Sequence, residues 1–255
     1  MSDAVLFDTR DDGIAIITLN RPEKRNCLTK DVREGLYAAW ERFETDPTLR
    51  VAVLTGSGDK AFCAGGDLGE MVQTAMRVPP RDLIPVPYDN VELTKPTIAA
   101  INGVAFAGGW LIAQSCDLAV ASTTATFAVT EVKVGRSSPW AAPLIHMIPQ
   151  RIMMEILLTG TPITAQRAYE IGLVNRISEP ATLLDTALEL AREILAGAPL
   201  SVRAARETVM LATEMGRSAA LQAARHASEH CYNSDDAQEG PRAFAERRAP
   251  EWSAR

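Results

Sequence analysis

The stretch TIAAINGVAFAGGWLIAQSCD, residues 97–117, decides the fold, because it joins a strand, a turn of small residues and a helix. The β-branched and small apolar residues of 97–102 predict a buried strand that ends at an Asn-Gly turn. The apolar run that starts at Gly108 and Gly109 predicts a buried helix. Glycine lets backbone N–H groups approach a ligand oxygen, and a helix N-terminus adds partial positive charge. This turn is therefore a candidate site for stabilising a negative charge.

The same arrangement occurs earlier in the chain. FCAGGD, residues 62–67, precedes a helix that opens at Asp67, where Asp67 and Glu70 are expected to form an N-cap pair. Two N–H donors aimed at one point would form an oxyanion hole. The alternative is that the glycines only let a helix pack closely on a sheet, and spacing alone leaves both open. Neither turn is a phosphate loop, because no Gly-Lys-Ser/Thr follows either turn and no GxGxxG occurs.

Outside these turns, strand and helix patterns alternate first and helices follow alone. Strands are predicted at 13–20, 51–56, 117–121 and 126–129, and an amphipathic helix is predicted from residue 28. Four prolines make 78–87 irregular, and helical patterns dominate from Leu144 to Glu246. This order predicts a layered α/β core with an α-helical C-terminal region.

The composition excludes several classes of protein. With 255 residues, 47% of them hydrophobic and 23% charged, a folded α/β chain is expected rather than a disordered one. The net charge of −6 argues against a nucleic-acid binder, which needs clustered Lys and Arg. No apolar run approaches the roughly 18 residues that span a bilayer, and from the acidic start we expect no secretory leader. The four cysteines form no CxxC pair, which is typical of reduced thiols, so we expect a cytoplasmic protein without a membrane partner.

Five segments, in this order, carry a family resemblance over nearly the whole chain. They are ITLNRPEKRNCL (17–28), AVLTGSGDKAFCAGGDLGEM (52–71), KPTIAAINGVAFAGGWLIAQSCDLAVAS (95–122), LTGTPITAQRAYEIGLVNRI (158–177) and EGPRAFAERRAPEW (239–252). Together they resemble the crotonase (enoyl-CoA hydratase/isomerase) superfamily. The resemblance implies a spiral of ββα units with a helical C-terminal region used in trimerisation. It further implies a core at 1–199 that binds and converts an acyl-CoA thioester through an enolate, and a region at 200–255 for oligomerisation and CoA contact.

The resemblance also assigns roles to individual residues. It implies that the N–H groups of Gly66 and Gly108 form the oxyanion hole and that Glu131 moves protons on the acyl chain. For binding of the substrate and its CoA moiety it implies a set of nine residues: Lys24, Arg25, Ala64, Asp67, Leu68, Leu111, Trp140, Phe244 and Arg247. For the first two of these the alternative is solvated surface charge, and Arg248 is an alternative to Arg247.

Two departures from the hydratase pattern bear on the reaction. Hydratases of this family carry a second glutamate two residues after Gly109, where this chain has Leu111. They also carry a Pro-Gly-x-Gly-Gly run where residues 136–143 read RSSPWAAP. Leucine cannot activate water, whereas moving a double bond needs a single base, so isomerisation is favoured. Hydration through a substitute residue is the alternative, and Trp110 and Trp140 are expected to narrow the acyl pocket.

Two remote alternatives belong to other classes. HASEH, residues 226–230, matches the HxxEH pattern of zinc hydrolases, in which two histidines share one helix face. Loss of one glutamate is also compatible with a non-catalytic acyl-CoA binder. We expect no metal and no cofactor beyond the CoA of the substrate, a homotrimer or dimer of trimers, and a core position for His146.

Overall fold

The computed structural model describes residues 3–254, in which two sheets lie at the centre of the fold. The strands are β1 (Val5–Thr9), β2 (Ile14–Leu19), β3 (Val51–Gly56), β4 (Ala61–Cys63), β5 (Thr97–Ile101), β6 (Val104–Phe106), β7 (Leu118–Ser122), β8 (Thr126–Ala128), β9 (Ile163–Thr164) and β10 (Arg176–Ser178). Six of them form one sheet in the order β1-β2-β3-β5-β7-β10, in which β1 runs antiparallel to β2 and the other neighbours are parallel. The second sheet has the order β4-β6-β8-β9, with β9 antiparallel to β8.

Three successive strand pairs explain how two sheets arise from one chain. The first strands of the pairs, β3, β5 and β7, join the larger sheet, and the second strands, β4, β6 and β8, join the smaller one. A helix follows each of the first two pairs, and a 3₁₀ helix at Glu131–Val134 follows the third. The repeated turn from strand to helix brings the ends of the smaller sheet's strands to one edge. The predicted α/β class with ββα units is confirmed.

The helices are α1 (Lys30–Thr45), α2 (Leu68–Thr74), α3 (Gly108–Gln114), α4 (Gln150–Thr159), α5 (Ala165–Glu170), α6 (Leu183–Leu195), α7 (Pro199–Glu214), α8 (Arg217–Tyr232) and α9 (Asp236–Glu246). In α1 the predicted apolar stripe is buried, and the rings of Trp40 and Phe43 pack edge to face with their centroids 6.4 Å apart. This helix covers the strands β1 and β2. Burial of such a stripe, rather than helix propensity, supplies most of a helix's stability.

Several short elements differ from the sequence-based predictions. β9 and β10 interrupt the segment 144–246, which was expected to be helical, and residues 139–146 form a 3₁₀ helix. The strands β9 and β10 are too short to show an alternating pattern of their own, and pairing with β8 and β7 defines them. His146 is exposed, so its predicted core position is wrong.

The chain divides into two compact units, Met1–Ala191 and Arg192–Arg255. The first contains both sheets, and in the second α7 and α8 pack against each other. The C-terminal helical region that the resemblance implied is therefore present. The separate functional division at 199/200 stays a prediction.

Candidate active site

The two glycine-bearing turns lie against each other. Gly65 has φ +97°, and a side chain there would lie 2.9 Å from the Cβ of Ala107 and 3.3 Å from the amide N of Gly108. The first turn is also tied to the segment before α1, because the Leu28 N–H donates to the Gly65 carbonyl at 2.8 Å. The positive φ and the close approach explain why glycine occupies position 65.

The N–H groups of Gly66 and Gly108 make no hydrogen bond within residues 3–254. Gly108 is the first residue of α3, where a helix leaves its N–H groups unpaired. The residue before it, Ala107, has φ 50° and ψ −122°, a conformation that costs an L-residue about 1–3 kcal/mol. The Ala107 N–H donates to the Ala128 carbonyl of β8 at 2.9 Å, which holds this strained turn in place. Both N–H groups are therefore available to a ligand oxygen.

Glu131 lies three residues after Ala128, at the same edge of the smaller sheet. Its Oε1 accepts a hydrogen bond from the indole Nε1 of Trp140 at 3.0 Å. Its Oε2 is buried and makes no hydrogen bond in the described part of the chain. Burial raises the pKa of the Glu131 carboxyl, and its own backbone N–H, the Trp140 indole and the Ser138 hydroxyl act in the opposite direction. A partly buried carboxylate with a raised pKa is suited to taking up and returning a proton.

Leu111 and Gln114 occupy successive turns of α3. Leu111 is 7% exposed and apolar, so this position provides no carboxylate beside the oxyanion turn. The Nε2 of Gln114 donates to the Trp140 carbonyl at 3.0 Å, and its buried Oε1 has no partner among the described residues. Trp140 therefore connects α3 to Glu131, a connection that sequence inspection missed because the partners are 26 and 9 residues apart.

The two tryptophans that were expected to narrow a pocket differ in burial. Trp140 is half-buried and packs on the core, so its role in the acyl pocket stays a prediction. Trp110 is 1% exposed and lies edge to face on Phe127 at 5.8 Å. Trp110 therefore belongs to the core.

The loop after β2 brings together several of the residues expected to bind CoA. Lys24 and Arg25 are exposed, and Arg25 and Asn26 have left-handed φ angles of 53° and 54°. The Lys24 ammonium lies 3.7 Å from the Asp67 carboxylate, and the Ala64 N–H donates to the Arg25 carbonyl at 3.0 Å. The Lys24 ammonium and the backbone of Arg25 thus lie beside the first glycine turn.

Asn26 shapes this loop and was not singled out from the sequence. It is fully buried, its Oδ1 accepts from the Arg21 N–H at 2.9 Å, and its Nδ2 donates to the carbonyls of Ala61 at 2.8 Å and Ser57 at 3.0 Å. A buried amide must have its hydrogen bonds satisfied, so Asn26 fixes the loop to the strand ends.

Helix α2 begins as the sequence predicts, with one difference. The Asp67 carboxylate accepts from the N–H groups of Gly69 at 2.8 Å and Glu70 at 3.2 Å, so Asp67 is the N-cap. Glu70 does not reciprocate but pairs with Arg33 of α1 at 2.7 Å. Leu68 is 57% exposed at the start of the helix.

The C-terminal candidates lie in the second compact unit. Phe244 is 86% exposed, and Arg247 is exposed with φ 57°. Arg248 pairs with Glu239 at 2.5 Å and with Glu246 at 2.7 Å. The Arg248 guanidinium holds the pKa of Glu239 well below its usual range. Of the two adjacent arginines, Arg248 is therefore committed to an ion-pair network.

The zinc-hydrolase alternative has no supporting geometry. His226 and His230 are exposed on α8, and the His226 Nδ1 lies 3.4 Å from the Glu229 carboxylate. No group of three metal-capable His, Cys, Asp or Glu residues exists within residues 3–254. Within the same range, no helix has the length and hydropathy needed to cross a membrane.

Comparisons with known proteins identify the family of the chain. The sequence model of the family described as enoyl-CoA hydratase/isomerase matches residues 9–255. An (E)-benzylidenesuccinyl-CoA hydratase of Thauera aromatica is 40% identical over 249 residues, which are 93% of this chain and 94% of the relative. A carnitinyl-CoA dehydratase of Salmonella arizonae is 38% identical over 254 residues, 96% of each chain. The crystal structure of an enoyl-CoA hydratase from Mycobacterium marinum superposes with a TM-score of 0.91 at 36% identity, over 99% of each chain.

Proposed function

Because the chain belongs to the enoyl-CoA hydratase/isomerase family of the crotonase superfamily, we propose that it shifts the double bond of an enoyl-CoA thioester with Glu131 as its single acid and base. One observation carries this proposal: position 131 holds a carboxylate with a buried oxygen, whereas position 111 holds an apolar leucine. In this family the second acid/base position is the one that Leu111 occupies.

The oxyanion hole supplies the first part of the mechanism. The thioester oxygen accepts hydrogen bonds from the N–H groups of Gly66 and Gly108, which have no partner within residues 3–254. These donors stabilise the negative charge that develops on this oxygen when a proton leaves the α-carbon. One such donor is worth on the order of 10²–10³ in rate.

Glu131 supplies the proton transfers. Its Oε2 takes a proton from the α-carbon of a β,γ-unsaturated thioester, and the C–H electron pair enters the enolate. The carbonyl then reforms, the γ-carbon takes the proton back from Glu131, and the double bond lies between the α- and β-carbons. Nothing is oxidised or reduced and no group leaves, so one carboxylate suffices. Activity should fall as the pH drops below the raised pKa of Glu131, because the protonated acid cannot act as a base.

Hydration or dehydration of an enoyl-CoA is the second candidate. It is favoured by relatives named a hydratase and a dehydratase. The buried Oε1 of Gln114, which lacks a partner among the described residues, also provides an acceptor for a water molecule. In that case Gln114 would hold the water in place of a second glutamate, and Glu131 would carry out both proton transfers.

The remaining parts of the proposal concern binding and assembly. Lys24, Arg25, Ala64, Asp67 and Leu68 contact CoA, and no cofactor is needed beyond the CoA of the substrate. The region 200–255 assembles the chain into a trimer or a dimer of trimers. In that assembly Phe244 and Arg247 reach the CoA of a neighbouring subunit. The protein acts in the cytoplasm on an acyl-CoA and has neither a nucleic-acid nor a membrane partner.

A panel of CoA thioesters tests the proposed reaction. Each acyl group is supplied in its β,γ- and α,β-unsaturated forms, and the products are followed by mass spectrometry and ultraviolet absorbance. We expect the β,γ-unsaturated thioester to gain conjugated absorbance without a change of mass. A mass gain of one water on the α,β-unsaturated thioester, without isomerisation, would establish the second candidate instead. CoA binding without any conversion would identify a non-catalytic binder.

A further inference from the structure

Trp140 joins the proton-transferring carboxylate to helix α3 through two hydrogen bonds. Its indole Nε1 donates to the Oε1 of Glu131 at 3.0 Å, and its carbonyl accepts from the Nε2 of Gln114 at 3.0 Å. Trp140 thus provides a side-chain donor to the base and a backbone acceptor to the helix that begins at the oxyanion turn. The expected role of Trp140 as a wall of the acyl pocket does not account for either bond.

The two oxygens of the Glu131 carboxylate are therefore in different states. Oε1 is occupied by an N–H donor, whereas Oε2 is buried and makes no hydrogen bond within residues 3–254. An indole N–H is a donor only, so its partner oxygen must remain an acceptor and cannot carry the proton along this bond. The proton that Glu131 takes up thus belongs on Oε2.

We propose that Trp140 is a positioning residue of the reaction: its indole N–H fixes the Glu131 carboxylate through Oε1 and leaves Oε2 as the oxygen that exchanges a proton with the acyl chain. The proposal rests on Glu131 being the acid and base of the proposed function. A rigid aromatic donor holds the carboxylate with little loss of its own freedom, since a tryptophan has only two side-chain torsions. Gln114 in turn fixes the backbone of Trp140 relative to α3.

The elements packed against Glu131 also carry charged groups. Helix α3 carries no charged residue. The neighbouring elements carry five such groups: Arg151 and Glu155 of α4, His146 of the 3₁₀ helix 139–146, and Lys133 and Arg136 on the turn of Glu131 itself. The pKa of Glu131 is raised by burial and lowered, in decreasing order, by its own backbone N–H, the Trp140 indole and the Ser138 hydroxyl.

Loss of the indole N–H has a defined consequence for the pH profile. Trp140→Phe removes a bond that favours the ionised carboxylate, so the pKa of Glu131 rises further. The acid limb of kcat/KM then moves to higher pH. Because a misplaced base affects the chemical step, kcat falls by about 10–100-fold while KM changes little. Ser138→Ala should move the acid limb in the same direction by a smaller amount.

Nuclear magnetic resonance of the tryptophan indoles tests the bond without requiring any activity. The chain has four tryptophans, and within residues 3–254 the indole N–H groups of Trp40 and Trp110 have no partner, while that of Trp252 donates to the Ala196 carbonyl at 2.9 Å. We expect the Trp140 indole resonance alone to titrate with the Glu131 carboxyl and to stop titrating in Glu131→Gln. A Trp140 resonance that does not respond to pH in the folded protein would overturn the proposal.

The kinetic test uses Trp40→Phe as its matched control. This substitution removes the same atoms from a buried tryptophan of α1 that makes no hydrogen bond to Glu131. We expect the acid limb of Trp40→Phe to coincide with that of the wild type and the limb of Trp140→Phe to lie at higher pH. Coincidence of all three limbs would refute the proposal. If no thioester of the panel is converted, the proposed function fails, while the indole titration still decides whether the Trp140 indole holds the Glu131 carboxylate.

Discussion

The two glycine turns and the segment 131–140 form the candidate site by different means. The turns present backbone N–H groups, which are fixed by close packing and by the strained Ala107. The segment 131–140 presents side chains, in which Trp140 holds Glu131 and Gln114 holds Trp140. In the proposed function, the backbone N–H groups of the turns stabilise the negative charge that any enolate chemistry develops. In the same proposal, the side chains of 131–140 determine which proton transfers are available, so we expect changes of reaction to arise from this second region.

The largest expected effect comes from removing the base. Glu131→Gln preserves the volume of the side chain and an oxygen that accepts from Trp140, but the amide cannot take a proton. We expect kcat to fall by about 10²–10⁴ with CoA affinity unchanged. Turnover and CoA binding measured on the same preparation check this, and an unchanged kcat would remove Glu131 from the mechanism.

Substitutions of neighbouring glycines separate packing from chemistry in the other region. A Cβ on Gly109 would lie 2.0 Å from the backbone carbonyl oxygen of Cys63, so Gly109→Ala must displace the start of α3. We expect Gly109→Ala to lower the free energy of unfolding by about 3 kcal/mol and to lower the activity as well. A Cβ on Gly66 would meet only the flexible end of the Met71 side chain, at 2.5 Å. Gly66→Ala also retains the backbone N–H, so we expect the free energy of unfolding to fall by at most about 1 kcal/mol.

Thermal denaturation and turnover of the two glycine variants provide the check. Equal destabilisation by both substitutions would contradict the difference in packing, in which a Cβ meets backbone atoms at Gly109 but only a flexible side chain at Gly66.

A gain of function at Leu111 is the smallest expected effect. Leu111→Glu adds the carboxylate that the family's hydratases carry, and we expect a weak activity that adds water to a short α,β-unsaturated thioester. The variant should be less stable, because burial of a carboxylate is costly and raises its pKa. Leu111→Gln is the control for polarity without acid/base capacity. A folded Leu111→Glu protein that binds CoA and adds no water would assign the choice of reaction to Trp140 and the turn 136–143.

The sequence predicts the elements that contain a periodic or positional signal. The strand at 51–56, the stripe of α1 and the N-cap Asp67 all agree with the structure. A local pattern identifies these elements because the residues of each element determine where it forms. The strands β4, β6, β9 and β10 have two or three residues and were not predicted, since tertiary pairing rather than local sequence creates them.

The chemistry of the site was predictable only in part. Gly66, Gly108 and Glu131 could be proposed from the family resemblance, and their roles stay proposals. The bonds of Trp140 to Glu131 and Gln114, and the anchoring of the CoA-side loop by Asn26, depend on side-chain directions in irregular segments. Neither periodicity nor spacing specifies such directions.

Hydrogen exchange at the α-carbon of a saturated acyl-CoA in D₂O tests the central claim most directly. A saturated thioester can be neither hydrated nor isomerised, so uptake of deuterium there measures only proton removal by Glu131 and stabilisation of the enolate by Gly66 and Gly108. We predict exchange catalysed by the wild-type protein and a rate at least about 10²-fold lower in Glu131→Gln. Equal exchange by the two proteins would contradict the account.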